Sequence, residues 1–298
     1  MRRILLLSFC FLSFVAIISC SKADKFAGCK DFYMSQKTPL KKTPQTIVSV
    51  SPAVTEILFE LGCGDKLIGR TDFCTYPAQA TKITSIGGIN NSNLEKIIAL
   101  RPDLVITSSI FTQKMFSRIE EAGIPIMSFK ETHTIEGMCS QVEVIGKICD
   151  RQMQAQAIIT NFKCELQEIK NAYLASGKFN GGKKKPTLYY VVGFGQGGDF
   201  TAGKDTYINE IITLAGAENS ASDAVNWSYS QENLFKNQPD YILVRYEDSA
   251  RFVTTQPYSN LKAVKAHRVF GIETSLMDIQ TPRTIQAIKY ISNIIHSK

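Results

Sequence analysis

Histidine is scarce in this chain, with three among 298 residues. A site for bare Zn²⁺ or Mn²⁺ draws on several histidines and carboxylates. His133, His267 and His296 are too few and too scattered to build one, and each is expected at the exposed surface. Catalytic signatures are missing as well. There is no G-x-S-x-G elbow, no Walker loop, no H-E-x-x-H and no G-x-G-x-x-G. The run Gly193–Gly198 is glycine-rich but lacks Lys-Ser/Thr at the required spacing, so it reads as an adaptable loop. No catalytic residue can be named, and a hydrolase or oxidoreductase stays a remote alternative. The net charge is modest, +7, and removing Arg2 and Arg3 leaves 32 basic against 27 acidic residues. The excess clusters at Lys22–Lys42 and Lys183–Lys185, as in a solvated tether and loop, which argues against nucleic-acid binding.

A full membrane span is also absent. The apolar run Ile4–Ile18 falls short of the ~20 residues a span needs, and with Arg2-Arg3 before it reads as an export leader. It stops at Ile17-Ile18-Ser19-Cys20, which resembles a bacterial lipobox. Residues 1–19 are then a signal peptide, and Cys20 becomes a lipidated N-terminus. Plain secretory cleavage and an uncleaved anchor stay open. Residues 20–45, rich in Lys, Thr and Pro, read as a flexible tether. Beyond Cys10 and Cys20, six cysteines remain: Cys29, Cys63, Cys74, Cys139, Cys149 and Cys164. No Cys-x-x-Cys occurs, and spacing does not fix their pairing.

One long stretch has neither glycine nor proline. Residues 147–176 carry Ile158, Ile159, Phe162, Leu166, Ile169 and Tyr173 at helical spacing, and Gly177 closes them. Related text flanks this stretch. Upstream stand TEILFELG, ending at Gly62, and NLEKIIALRPDLVI; downstream stand NEIITLAG, ending at Gly216, and QENLFKNQPDYILV. Glu56 matches Glu210, and Glu95 matches Glu232. Two ordered matches predict two lobes of similar topology, residues 46–146 and 186–298, joined by an interlobe helix over 147–177.

In chain order the expected elements alternate. Thr46–Val50 is a strand, and Ser51-Pro52 caps and opens a helix. Leu67–Gly69 is a strand left by the loop TDFCTYP. Ser92-Asn-Leu-Glu95 is read as a capping box. Leu104–Thr107 and Ile124–Phe129 are strands around a helix at Phe111–Ala122, and Thr134–Lys147 leads into the long helix. Thr187–Val192 and Val269–Ile272 are strands of the second lobe, which ends in a helix over Arg283–Ile295. Alternating βα units imply an α/β fold, two Rossmann-like lobes with parallel sheets and a ligand cleft between them.

The ordered set IVSVSPAVTEILFELG, GRTDFCTYP, NLEKIIALRPDLVI, FTAGKDT and WSYSQENLFKNQPDYIL resembles the periplasmic binding proteins of ABC importers. The branch is the one with a rigid interlobe helix that serves vitamin B12 and iron chelates. The resemblance runs from about Thr46 to the C-terminus. It implies a monomeric, non-enzymatic receptor working with a permease and ATPase subunits, and an organic ligand that itself carries cobalt or iron, with no resident cofactor. The leaning is to a corrinoid, with a ferric siderophore or haem as alternatives and an adhesin on the same fold as a remote one.

Loops after strands are the expected cleft residues. They carry Phe73, Tyr76, Ile89, Asn90, Phe111, Lys130, Phe194, Phe200, Trp227, Tyr229, Arg245, Tyr246 and Met277, whose aromatics suit a flat macrocycle. The resemblance implies ligand contact for Trp227 and Phe73. At Ile89 the vitamin B12 relatives have Trp, a departure from the pattern. Arg245 is read either as a cleft cation or as a surface partner of Glu247 or Asp248. The resemblance also implies that Glu95 and Glu232, one from each lobe, dock onto arginines of the permease.

Overall fold

The computed structural model describes residues 31–175 and 184–296; the expected leader, Cys20 and Cys29 lie outside these residues. The first lobe runs β1 (Phe32–Met34), β2 (Ile47–Ser49), α1 (Pro52–Glu60), β3 (Leu67–Arg70), α2 (Leu94–Leu100), β4 (Leu104–Thr107), α3 (Gln113–Glu121), β5 (Ile126–Phe129) and α4 (Ile135–Ile148). Then comes α5 (Gln152–Ala175). The second lobe runs β6 (Thr187–Val191), α6 (Tyr207–Leu214), β7 (Glu218–Asn219), α7 (Gln231–Asn237), β8 (Tyr241–Arg245), α8 (Ser249–Thr254), α9 (Lys262–Lys265), β9 (Val269–Ile272), α10 (Thr274–Asp278) and α11 (Thr284–His296). Sheet orders are β1-β5-β4-β2-β3 and β7-β6-β8-β9. All pairings are parallel except β1 with β5. The central strands β2 and β4 are buried throughout, as parallel strands covered by helices on both faces must be.

The internal repeat extends to individual hydrogen bonds. Gly62 (φ 71) and Gly216 (φ 98) each follow a helix in the left-handed region. In both, the next residue donates back to the third-last helical carbonyl, Cys63 N to Leu58 O and Ala217 N to Ile212 O, closing a Schellman turn. The repeated Pro-Asp has a purpose too. Asp103 Oδ2 accepts from the Gln45 and Thr46 amides at 2.8 and 3.1 Å, and Asp240 Oδ2 accepts from Thr187 N at 2.8 Å. Asp103 thus ties the end of one βα unit to the start of β2, and Asp240 does the same for β6.

Three expectations need correction. The tether does not extend to residue 45, because Phe32–Met34 pairs antiparallel with β5 and Phe32 packs edge-on against Phe129. The long helix does not begin at 147. Lys147 and Ile148 belong to α4, and Asp150 (φ 55) breaks the chain before α5. Arg151 N donates to Gly146 O at 2.7 Å, the same Schellman stop with aspartate in glycine's place, so no glycine marks it in the sequence. At about 1.5 Å per residue, the 24 residues of α5 extend roughly 36 Å. The capping box is displaced by one: Asn93, not Ser92, caps α2 by accepting from Lys96 N at 2.9 Å, while Ser92 Oγ donates to Gly88 O.

One continuous apolar core includes α1, α4, α5, α6 and α11. The lobes therefore share a packed base beneath the cleft rather than meeting only through a linker.

Candidate functional site

The carboxyl ends of the strands in both sheets open onto a cleft of about 710 Å³. From the first lobe come Ser51–Val54 after β2, Ile89, Ser108–Ile110 after β4, and Phe129–His133 after β5. From the second come Val192 after β6, Asp205–Ile208 at the start of α6, Trp227, and Met277–Gln280 at the end of α10. This is where parallel α/β sheets place ligands. Because α1 and α6 are repeat partners, their N-termini face the same cavity from opposite lobes.

Of the residues expected there, Ile89, Lys130, Trp227 and Met277 line the cleft. Trp227 stands out. Asn226 (φ 51) and Trp227 (φ 65) form the centre of a tight turn closed by Ser228 N donating to Val225 O at 3.0 Å. A bulky residue in the left-handed region is uncommon and strained. Thr201 N holds the turn by donating to Trp227 O, and the indole remains 46% exposed.

The other expected residues lie elsewhere. Phe111 is a core residue, 7% exposed and in one cluster with Phe116. It precedes the Thr112 cap of α3, so the two rings sit as a hydrophobic staple. Tyr229 is 4% exposed and donates its hydroxyl to Ser220 O. Phe194 packs edge-on against Phe252 and Tyr258, under the Arg251 guanidinium. Phe200 bridges to Gly193 and Ser228 and covers the glycine-rich loop. Asn90 and Tyr246 are exposed away from the cavity wall, Tyr246 beside Gly271. Phe73 and Tyr76 are exposed on the loop after β3, and neither lines the cleft. Tyr76 lies flat under the Arg283 guanidinium, 3.5 Å from its ring centre.

Arg245 pairs with neither Glu247 nor Asp248; Asp248 instead pairs with Arg251 at 2.7 Å. Arg245 is half-buried, and its charge acts on Tyr190 and on Asp278 in the cleft wall. Desolvation raises the Asp278 carboxyl above its usual range, while the Tyr190 hydroxyl, donating at 3.0 Å, and Arg245 oppose the rise. His133 and His267 are exposed as expected, His133 on the cleft wall, whereas His296 is half-buried and packs against the Tyr173 ring at 5.1 Å.

Sequence reasoning missed Ser108–Ile110, Glu131, His133, Asp205–Ile208 and Asp278–Gln280. A usable signal existed for some of them. Ser51-Pro52 matches Asp205-Thr206 in the repeat, and Ser108 directly follows a strand. The others lack an aromatic or glycine marker.

The matched glutamates Glu56 and Glu210 cross between lobes. Glu56 on α1 accepts from Arg283 Nε and Nη2 at 2.9 and 3.0 Å, and from Thr281 Oγ1 at 3.1 Å. Glu210 on α6 accepts from the Ile135 amide at the start of α4. Gln280 adds a third tie, donating to Thr134 O at 2.9 Å. These contacts fix the width of the cleft from below.

The model for the periplasmic binding protein family matches residues 47–276. An ABC transporter substrate-binding lipoprotein of Bacillus subtilis is 29% identical over 92% of this chain and 87% of its own. The vitamin B12-binding protein of Vibrio campbellii is 28% identical over 82% and 86%. Among solved structures, a periplasmic haem-binding protein of Pseudomonas aeruginosa superposes with a TM-score of 0.77 at 21% identity, covering 85% of this chain and 93% of that one. The vitamin B12-binding protein of Vibrio cholerae gives 0.72 at 22%, covering 85% and 97%. These two likenesses establish the fold, and among the described residues no helix is long and apolar enough to cross a membrane. With two lobes on a shared base, a cleft at the strand ends and a family match across most of its length, the chain belongs to the periplasmic binding proteins, the solute-capturing components of ABC importers.

Proposed function

We propose that this chain is a lipid-anchored, non-enzymatic receptor that captures a corrinoid and hands it to an ABC permease with its ATPase. Cys20 carries the anchor, the working form is a monomer, and Glu95 and Glu232 meet the permease. The observation that carries the ligand class is charge. The cleft wall holds three carboxylates, Glu131, Asp205 and Asp278, against one lysine, Lys130. Haem propionates and anionic ferric chelates call for arginine forks or lysines. In this cleft they would meet repulsion, which acts strongly in a partly desolvated site. A corrin is edged with carboxamides, whose N–H groups donate to carboxylates. Trp227, Ile89 and Met277 supply the apolar contact. Haem is the second reading, supported by His133, a nitrogen donor on the wall.

Calorimetry with the chain lacking residues 1–20 tests this against cyanocobalamin, haemin and a panel of ferric siderophores. Tighter binding of haemin or of a siderophore than of cyanocobalamin would reverse the assignment. No binding to any, with turnover of some substrate, would favour an enzyme. Trp227 provides a second readout as the sole tryptophan. Saturating cyanocobalamin should quench its emission, and Trp227→Ala should weaken binding by about 1–3 kcal/mol. Unchanged emission at saturation would mean that the indole only packs its own turn.

A further inference from the structure

Gln280 belongs to the cleft and to the tie between lobes at once. It lines the cleft from the second lobe, and its side-chain amide reaches the first. Nε2 donates to Thr134 O at 2.9 Å and to Thr132 Oγ1 at 3.1 Å. A carbonyl can only accept, so the Thr134 contact fixes which end of the amide is nitrogen. Both amide protons are then spent on the first lobe. The oxygen keeps one longer contact, the Thr132 hydroxyl at 3.4 Å, although a carbonyl oxygen has two lone pairs to offer.

Both ends of this tie rest on fixed structure. Thr134 caps α4 by accepting from Gly137 N at 3.1 Å, and the next residue, Ile135, donates its amide to Glu210. On the other side Thr281 and Arg283 hold Glu56. The Gln280 carboxamide is therefore oriented before any ligand arrives, which spares the entropy cost of ordering a long side chain on binding.

We propose that Gln280 is a specificity-determining residue whose oxygen accepts an N–H donor of the ligand while its nitrogen holds the first lobe, so that one side chain reads the ligand and ties the lobes. The inference rests on the corrinoid reading and sharpens it, because a corrin is edged with carboxamides. A carboxamide N–H satisfies the waiting oxygen. A carboxylate in the same place has no proton to give, and it adds charge to a cleft that Glu131 and Asp205 already make negative. A bond accepted at an amide oxygen also polarises the N–H groups of that amide. Bound ligand should therefore strengthen the ties to Thr132 and Thr134.

The test pairs a protein variant with a ligand variant. Calorimetry on the chain lacking residues 1–20 compares the parent with Gln280→Leu, using cyanocobalamin and the monocarboxylic acids made from it, each with one side-chain carboxamide converted to carboxylate. The leucine variant should bind cyanocobalamin about tenfold more weakly, the scale of one hydrogen bond left unmade. For the acid whose carboxylate falls at Gln280 that loss should vanish, so the parent's preference for amide over acid shrinks by about tenfold there. An equal loss for cyanocobalamin and every acid would mean that Gln280 only ties the lobes, and it overturns the proposal, as does unchanged affinity for cyanocobalamin. A parent that binds none of these corrinoids overturns the corrinoid reading and takes this inference with it, a result distinct from the other two. Because Gln280→Leu also removes the lobe tie, a second measurement keeps the residue. The Nε2 proton resonances of Gln280, identified as the pair missing in the leucine variant, should move downfield on saturation with cyanocobalamin. Resonances that stay in place would also overturn the proposal.

Discussion

Arg283→Met should lower the free energy of unfolding by about 3–5 kcal/mol, the cost of stranding one member of a buried ion pair. The Glu56 side chain is 4% exposed and that of Arg283 11%, so water cannot replace the lost partner. Arg283 uses two nitrogens on the two Glu56 oxygens, a forked geometry that lysine does not reproduce. Arg283→Lys should therefore recover only part of the loss. Removing both charges in Glu56→Met with Arg283→Met should be milder than either single change, because no uncompensated ion is left behind. The same guanidinium covers Tyr76, so the single variant should also free that ring. Urea denaturation of these four variants beside the parent decides. Single variants within about 0.5 kcal/mol of the parent would place them with ordinary surface changes and would mean that solvent reaches the pair.

Glu56 shows how far the sequence can be read. Its match to Glu210 is visible as spacing, and so is the two-lobe topology, because helix stops and Pro-Asp turns depend on local chemistry. What each glutamate touches depends on the other lobe, more than two hundred positions away in the case of Arg283, and no local pattern records that. The same limit explains the aromatics. Phe111 and Tyr229 sit in loops beside strand ends, as cleft residues do, but a loop ring can turn inward onto its own helix or outward to a ligand. Phe111 turns inward because Phe116 waits one turn into α3. Trp227 sits in a polar loop and its left-handed backbone presents it to the cleft. The break at Asp150 was hidden for a different reason: an aspartate took the conformation that usually announces itself as glycine.

Glu95→Lys and Glu232→Lys should each cut corrinoid uptake by roughly tenfold or more, with the double variant worst, while ligand affinity stays near that of the parent. Glu95 lies in the first turn of α2 behind the Asn93 cap, and Glu232 in the first turn of α7 behind the Ser230 cap. Both are exposed, and among the described residues neither takes part in an ion pair. A carboxylate in a first helical turn gains about 0.3–1 kcal/mol from the helix dipole, so each reversal should cost stability on that scale and leave the fold intact. Neither residue lines the cleft, so capture should survive. The proposed docking would give these two carboxylates, at matched places in two lobes, a partner that reads both at once. Losing one ion pair to such a partner costs about 2–5 kcal/mol when the pair is desolvated, and about 1.4 kcal/mol already corresponds to the tenfold loss. Alanine at either position removes attraction without adding repulsion, so it should be milder than lysine. Labelled cyanocobalamin uptake in cells carrying the cognate permease, beside calorimetry on the purified variants, separates docking from capture. Normal uptake by both lysine variants would reduce these glutamates to helix-capping charges and leave the repeat as a record of folding alone.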